Sequence, residues 1–89
     1  MQAIFKYPFE VSDDVRIETT EGAKFLSVQV QNGFACAWAL VDPGAPWACY
    51  HLQIRGTGQP VEASELGRFL GMFQMHDGKL VFPAFVVED

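Results

Sequence analysis

The chain has 89 residues, which predicts one small domain spanning residues 1–89. With 49% hydrophobic residues it can bury a core, which excludes intrinsic disorder, while only 19% charged residues leave some apolar surface facing water. Six Lys and Arg residues against 11 Asp and Glu give a net charge of −5, which excludes charge-driven binding to nucleic acid or to anionic membranes.

The start of the chain, MQAIFKYPF, has no apolar run of the length found in signal peptides. No later stretch approaches the run of about 20 apolar residues that a membrane-spanning helix needs. We therefore expect a cytosolic protein. In that compartment Cys36 and Cys49 are expected to be reduced, small core-type residues rather than disulfide partners.

Two strands are predicted before the middle of the chain. Gln2–Pro8 alternates between two faces, and because Pro8 has no N–H group, this strand ends there or lies at a sheet edge. Val15–Thr20 alternates again and is rich in β-branched residues, which favours a second strand.

Lys24–Asp42 predicts a β-hairpin in the middle of the chain. Its Asn32-Gly33 pair supplies the two positive φ angles of a type I′ turn, the strongest short-range hairpin signal. A two-residue loop places Gln31 opposite Phe34. The pairing then predicted for the core side is Val30 with Ala35, Val28 with Ala37, and Leu26 with Ala39. The pairing predicted for the other side is Gln29 with Cys36 and Ser27 with Trp38.

Trp47–Arg55 is predicted as a further strand. Its inward residues are Ala48, Tyr50, Leu52 and Ile54. Val61–Gly67 is long enough for one helical turn only.

A last hairpin pairs Arg68–Met75 with Leu80–Glu88. The position of Pro83 predicts either a four-residue loop, His76–Lys79, which turns Pro83 outward, or a bulge at Pro83, and it places the last strand near a sheet edge. The whole pattern predicts an all-β fold: a small antiparallel β-sandwich or barrel of about six or seven strands, with at most one short helical turn near residues 62–67.

No catalytic or metal-binding pattern rises above background. Cys49 and His51 point the same way on one strand, but nothing in the sequence orients the imidazole. Cys36 would add a third zinc ligand to that pair only if the strands lie side by side. The Gly56–Gly58 loop lacks the Gly-Lys-Ser/Thr sequence of a phosphate-binding loop. We expect no cofactor and no bound metal.

Large apolar residues share the hairpin face that should be wet. Phe34, Trp38 and Leu40 lie on the same side as Ser27 and Gln29. Two interpretations remain open: both sides of the hairpin are covered within the fold, or the aromatic residues form a dimer or partner surface. Trp47, after the Pro-rich loop, is a second candidate for an exposed anchor.

Several segments of the chain resemble a known family. These are KYPFEV at the start, SVQVQNG, WALVDP, the GTG-x-P loop and GMFQMHDGKLVFPAF near the end. They are similar to short bacteriophage and prophage proteins that are classified only as a domain of unknown function. The resemblance supplies no catalytic residues. It implies a phage gene product that acts in the bacterial cytoplasm or is packaged with the virion.

Together these features predict a non-enzymatic, phage-encoded binding module that forms a homo-oligomer. We expect it to dock on a host or phage protein and modulate it, as a counter-defence inhibitor does. The expected contacts are four apolar anchors and two polar residues: Phe34, Trp38, Trp47, Tyr50, His51 and Arg55. The alternatives are a sponge for a small nucleotide signal, using Arg55, Arg68 and Lys79, and a minor virion component.

Overall fold

Seven β-strands and one 3₁₀ turn make up the structure, a computed structural model that describes residues 1–88. The elements are β1 (Ala3–Phe9), β2 (Asp14–Thr20), β3 (Lys24–Gln31), β4 (Phe34–Val41), β5 (Trp47–Ile54), a 3₁₀ turn (Ala63–Glu65), β6 (Arg68–Met75) and β7 (Leu80–Val87). The predicted all-β class is confirmed, and the short turn lies within the predicted residues 62–67.

The strands form two antiparallel sheets that pack face to face. One sheet has the order β1-β4-β3, and the other has the order β2-β5-β7-β6. Along its shortest axis the Cα trace spans 16 Å, which fits two layers about 10 Å apart. The sandwich prediction is therefore confirmed. β1 pairs only with β4, so the edge position that Pro8 predicted for β1 is also confirmed.

One hydrophobic core lies between the sheets. The three-stranded sheet contributes small residues from β4, namely Ala35, Ala37 and Ala39, all at most 2% exposed. The small β4 side chains leave room for large ones on the neighbouring strands. Phe25 of β3 fills that space and contacts Tyr50 of the opposite sheet, with ring centroids 5.4 Å apart.

The central hairpin forms at the predicted turn. Asn32 and Gly33 have φ angles of 52° and 83°, as a type I′ turn requires, and Gln31 lies opposite Phe34. Most of the predicted register is confirmed: Val30 with Ala35, Val28 with Ala37, Gln29 with Cys36 and Ser27 with Trp38.

The predicted pairing of Leu26 with Ala39 is wrong. A β-bulge between Phe25 and Ser27 makes Phe25 the partner of Ala39. The extra residue reverses the alternation at that point. Phe25 is consequently 1% exposed and Leu26 is 43% exposed, so the larger of the two side chains occupies the core.

The last hairpin has the predicted four-residue loop, since Met75 pairs with Leu80. Pro83 faces outward as predicted, but its strand is not at an edge, because β7 lies between β5 and β6. The proline is tolerated because β5 ends beside it. The Pro83 carbonyl accepts the Arg55 N–H at 3.0 Å, so the backbone of Pro83 is directed toward the β5 side. Its nitrogen, which carries no hydrogen, therefore faces the chain just after Ile54, the last residue of β5.

The 3₁₀ turn is attached to the four-stranded sheet through Gln53. The Gln53 amide nitrogen donates to the Glu65 carbonyl, and its amide oxygen accepts the Gly67 N–H, both at 2.8 Å. These two bonds hold the segment over the outer side of β5. Gln53 is therefore only 8% exposed, although its side chain points away from the core.

Candidate partner-binding surface

The six predicted contact residues do not lie on one surface. Phe34 and Trp38 are on the outer side of the three-stranded sheet, on β4. Trp47 and His51 are on the outer side of the four-stranded sheet, on β5. The two outer sides face in opposite directions, so no single partner surface contacts all four residues.

Tyr50 is part of the core, and this corrects its assignment as a partner anchor. It is 8% exposed, and its hydroxyl donates to the Thr20 carbonyl at 3.1 Å and accepts the Ala23 N–H at 3.2 Å. These bonds hold the chain where it passes from β2 of one sheet to β3 of the other. The ring lies in the core because Tyr50 is one of the alternate β5 residues whose side chains point inward.

Arg55 has its polar contacts within the chain. Its guanidinium donates to the Asp13 and Ile54 carbonyls, lies 4.0 Å from the Asp14 carboxylate, and belongs to a side chain that is 19% exposed. Arg55 therefore ties the start of β2 to the end of β5. His51 is exposed and lies opposite Arg16.

The outer side of the three-stranded sheet has a regular order, and we call it the outer β4 face. Residues opposite each other on neighbouring strands point to the same side, so the register gives its rows directly. From one end, the rows are Ile4, Leu40 and Lys24; Lys6, Trp38 and Ser27; Pro8, Cys36 and Gln29; then Phe34 and Gln31. Its central column is apolar, and polar residues flank it on the β3 side.

Several apolar side chains of the outer β4 face are open to water. Phe34 is 66% exposed and Ile4 is 61% exposed, while Trp38 and Leu40 are half-buried. Cys36 is 2% exposed, because its neighbours close over so small a side chain. Within residues 1–88 no further layer covers this face, so the fold alone does not account for its aromatic residues.

A second apolar area lies on the outer side of the four-stranded sheet, and we call it the outer β6 face. It consists of Phe69, Met72, Pro83 and Phe85. Phe69 and Met72 are 54% and 57% exposed. The ring centroids of Phe69 and Phe85 are 5.6 Å apart. The sequence analysis missed this face because a β-bulge at Leu70 breaks the alternation of β6. Without the bulge the predicted loop would place Phe69 opposite Val86, so the local sequence carried no signal for this face.

The candidate catalytic and metal-binding residues are not assembled. Cys36 lies on β4 of one sheet and Cys49 on β5 of the other, both as free thiols. Among the described residues 1–88, no group of three or more His, Cys, Asp or Glu side chains is placed to hold a metal ion.

The Gly56–Gly58 loop forms its own hydrogen bonds. The Gln59 side chain accepts the Gly56 N–H at 2.8 Å, and the Gln59 N–H donates to the Gly56 carbonyl at 3.0 Å. This is the geometry of a closed turn.

A comparison with known protein families identifies the family of this chain. A model of a domain of unknown function, DUF7352, matches residues 1–89, the whole sequence. The chain belongs to the DUF7352 family. No curated protein and no solved structure shows a significant match to it. Membership in DUF7352 confirms the resemblance to a domain of unknown function and assigns no activity. In the part of this DUF7352 chain that is described, no helix is long and apolar enough to cross a membrane.

Proposed function

We propose that the protein is a non-enzymatic binding module that docks on another protein through the outer β4 face and modulates that protein. The observation that carries the proposal is the exposed apolar column of β4, with Phe34 66% exposed at its end. Aromatic side chains in such positions supply most of the energy of many protein interfaces. The sheet fixes the backbone at Phe34 and Trp38, so little backbone entropy is lost there when a partner binds.

We further propose that the protein is phage-encoded and that its partner is a host or phage protein in the bacterial cytoplasm or the virion. The support is the sequence resemblance described above. A host protein inhibited in this way would make the module a counter-defence inhibitor.

The geometry does not favour a nucleotide-signal sponge. Such a site needs cationic groups that converge on a pocket. Arg55 is bonded at the end of β5, Arg68 forms an ion pair with Glu88 at 2.8 Å, and Lys79 lies in the β6–β7 loop at the other end of β6. These three cations belong to separate regions.

Replacing Phe34 with serine is expected to reduce partner capture at least tenfold, because losing one aromatic anchor removes about 1.4 kcal/mol or more. The measurement is quantitative mass spectrometry of proteins retained by the tagged protein from a lysate of the bacterial host. Phe34 is exposed, so folding is expected to be unaffected. The matched control is Val61→Ser, because Val61 is 48% exposed in the connection before the 3₁₀ turn. Equal capture by wild type, Phe34→Ser and Val61→Ser would contradict the proposal.

We also propose that two copies associate through the outer β6 face. The four residues of the outer β6 face carry no charge, so two such faces meet without repulsion although each chain carries −5. Light scattering during size-exclusion chromatography is expected to give a dimer for the wild type and a monomer for Met72→Ser combined with Phe69→Ser. Ile4→Ser, on the opposite sheet, should remain dimeric. A monomeric wild type would rule out this association.

A further inference from the structure

We propose that the partner segment bound on the outer β4 face is acidic, with carboxylates beside apolar side chains. This inference rests on the proposed function of that face and adds the chemistry of its partner. It is carried by the distribution of cations over the molecule.

The three arginines already have carboxylate partners. Arg16 lies 2.9 Å from Glu18, Arg68 lies 2.8 Å from Glu88, and Arg55 lies 4.0 Å from Asp14. By contrast, among residues 1–88 no carboxylate lies within ion-pair distance of Lys6 or Lys24. Both of these lysines stand in rows of the outer β4 face.

The paired rows of the outer β4 face therefore carry positive charge on a protein whose net charge is −5, and Glu10 lies near Phe34 at the end of the face away from Lys24. These rows contain two lysines and no Asp or Glu. Lys6 stands beside Trp38 on the β1 side, and Lys24 stands beside Leu40 on the β3 side. The Lys6 ammonium group reaches across the apolar column to the Gln31 side chain on β3, and both ammonium groups can contact carboxylates of a segment lying along β4.

The present hydrogen bond of Lys6 is one that a carboxylate can replace. Its ammonium group donates to the Gln31 amide oxygen at 2.6 Å. A carboxylate is a stronger acceptor than a neutral amide, and an ammonium group has three donors. An incoming carboxylate therefore gains a charge-assisted bond, and the Gln31 side chain returns to water on an exposed strand end.

Charge complementarity favours an acidic segment over a second copy of this chain on the outer β4 face. A second copy would bring two more lysines and no carboxylate from its own rows, whereas an acidic strand or helix would neutralise Lys6 and Lys24.

The test uses Trp38 as its reporter. Trp47, 80% exposed on the opposite sheet, is first replaced in Trp47→Phe, so that the remaining tryptophan fluorescence comes from the outer β4 face. Three probes are titrated at low salt: a synthetic peptide of alternating Glu and Leu, its counterpart of alternating Lys and Leu, and oligothymidylate. The Glu–Leu peptide is expected to shift the fluorescence saturably, with weaker binding as salt increases.

Charge reversal provides the matched comparison. In the Trp47→Phe background, Lys6→Glu or Lys24→Glu is expected to weaken Glu–Leu binding about fivefold to tenfold, since an exposed attraction becomes a repulsion. Arg16→Glu changes the net charge equally on the outer side of the opposite sheet, where Arg16 lies opposite His51, and should weaken binding less than about twofold. Thermal melts confirm that each variant is folded.

Three results would overturn the inference: no response to the Glu–Leu peptide, equal weakening by Arg16→Glu, or tighter binding of the Lys–Leu peptide or oligothymidylate. The failure of the proposed function is distinguishable. If Phe34→Ser abolishes partner capture while Lys24→Glu and Lys6→Glu retain it, the docking face is correct and its acidic partner is not.

Discussion

Replacing Phe25 with alanine is expected to destabilise the protein by about 4 kcal/mol, the usual cost of removing a buried phenylalanine ring. Phe25 is 1% exposed and contacts both Tyr7 and Tyr50, with ring centroids 6.4 Å and 5.4 Å apart. In a domain of this size the melting temperature should fall by about 15–30 °C. Thermal and urea unfolding, followed by circular dichroism, measure the change.

The neighbouring residue is the control, and it tests the β-bulge as well. Leu26→Ala is expected to cost less than about 1 kcal/mol, because Leu26 is 43% exposed. Strict alternation of β3 would give the reverse order, with Leu26 in the core and Phe25 outside. A larger loss for Leu26→Ala than for Phe25→Ala would therefore contradict the register of β3.

Replacing Gly67 with alanine is expected to cost about 3 kcal/mol, the upper part of the range for overpacking, because the new methyl group would meet backbone. A Cβ atom at Gly67 would lie 2.2 Å from the Val86 carbonyl oxygen and 2.7 Å from its carbon. The segment cannot retreat without stretching the bond from the Gly67 N–H to Gln53, 2.8 Å long. Chemical unfolding of the wild type and the variant gives the difference.

Gly56→Ala is the matched control for this effect. At Gly56 the nearest atom to a new Cβ is the flexible Gln59 side-chain oxygen, 3.8 Å away, an ordinary contact. Its stability is expected to stay within about 0.5 kcal/mol of the wild type. If Gly56→Ala and Gly67→Ala are equally stable, the chain before β6 does not pack against β7 as described.

Local patterns in the sequence predicted most of the strands. Alternation gave the inward face of β5, the Asn32-Gly33 pair gave the hairpin turn, and the position of Pro83 gave the length of the last loop. Each signal depends on backbone geometry within a few residues. The bulges in β3 and β6 were missed because packing decides them: Phe25 has more apolar surface to bury than Leu26 has.

The candidate site was only partly predictable for a related reason. Register within one hairpin placed Trp38 and Phe34 on a shared face, which needs no knowledge of other strands. Which of the two sheets β5 joins depends on contacts between residues far apart in the sequence. The chain leaves one sheet after β4 and enters the other at Trp47, so Trp47 and Trp38 face opposite directions. Nothing in the local pattern indicated that change of layer.

The position of Pro8 in β1 limits growth of the sheet by strand addition. The two-residue turn makes Gln31 and Phe34 a hydrogen-bonded pair, and two residues further along β4 the backbone of Cys36 again bonds toward β3. Pro8 lies opposite Cys36 on β1, so its nitrogen points away from β4, toward the unpaired edge of the sheet. On that side Ile4 and Lys6 still offer N–H groups, and Pro8 offers none. A foreign strand aligned along β1 loses its ladder of hydrogen bonds there, and the Lys6 charge opposes the addition of an identical β1 edge.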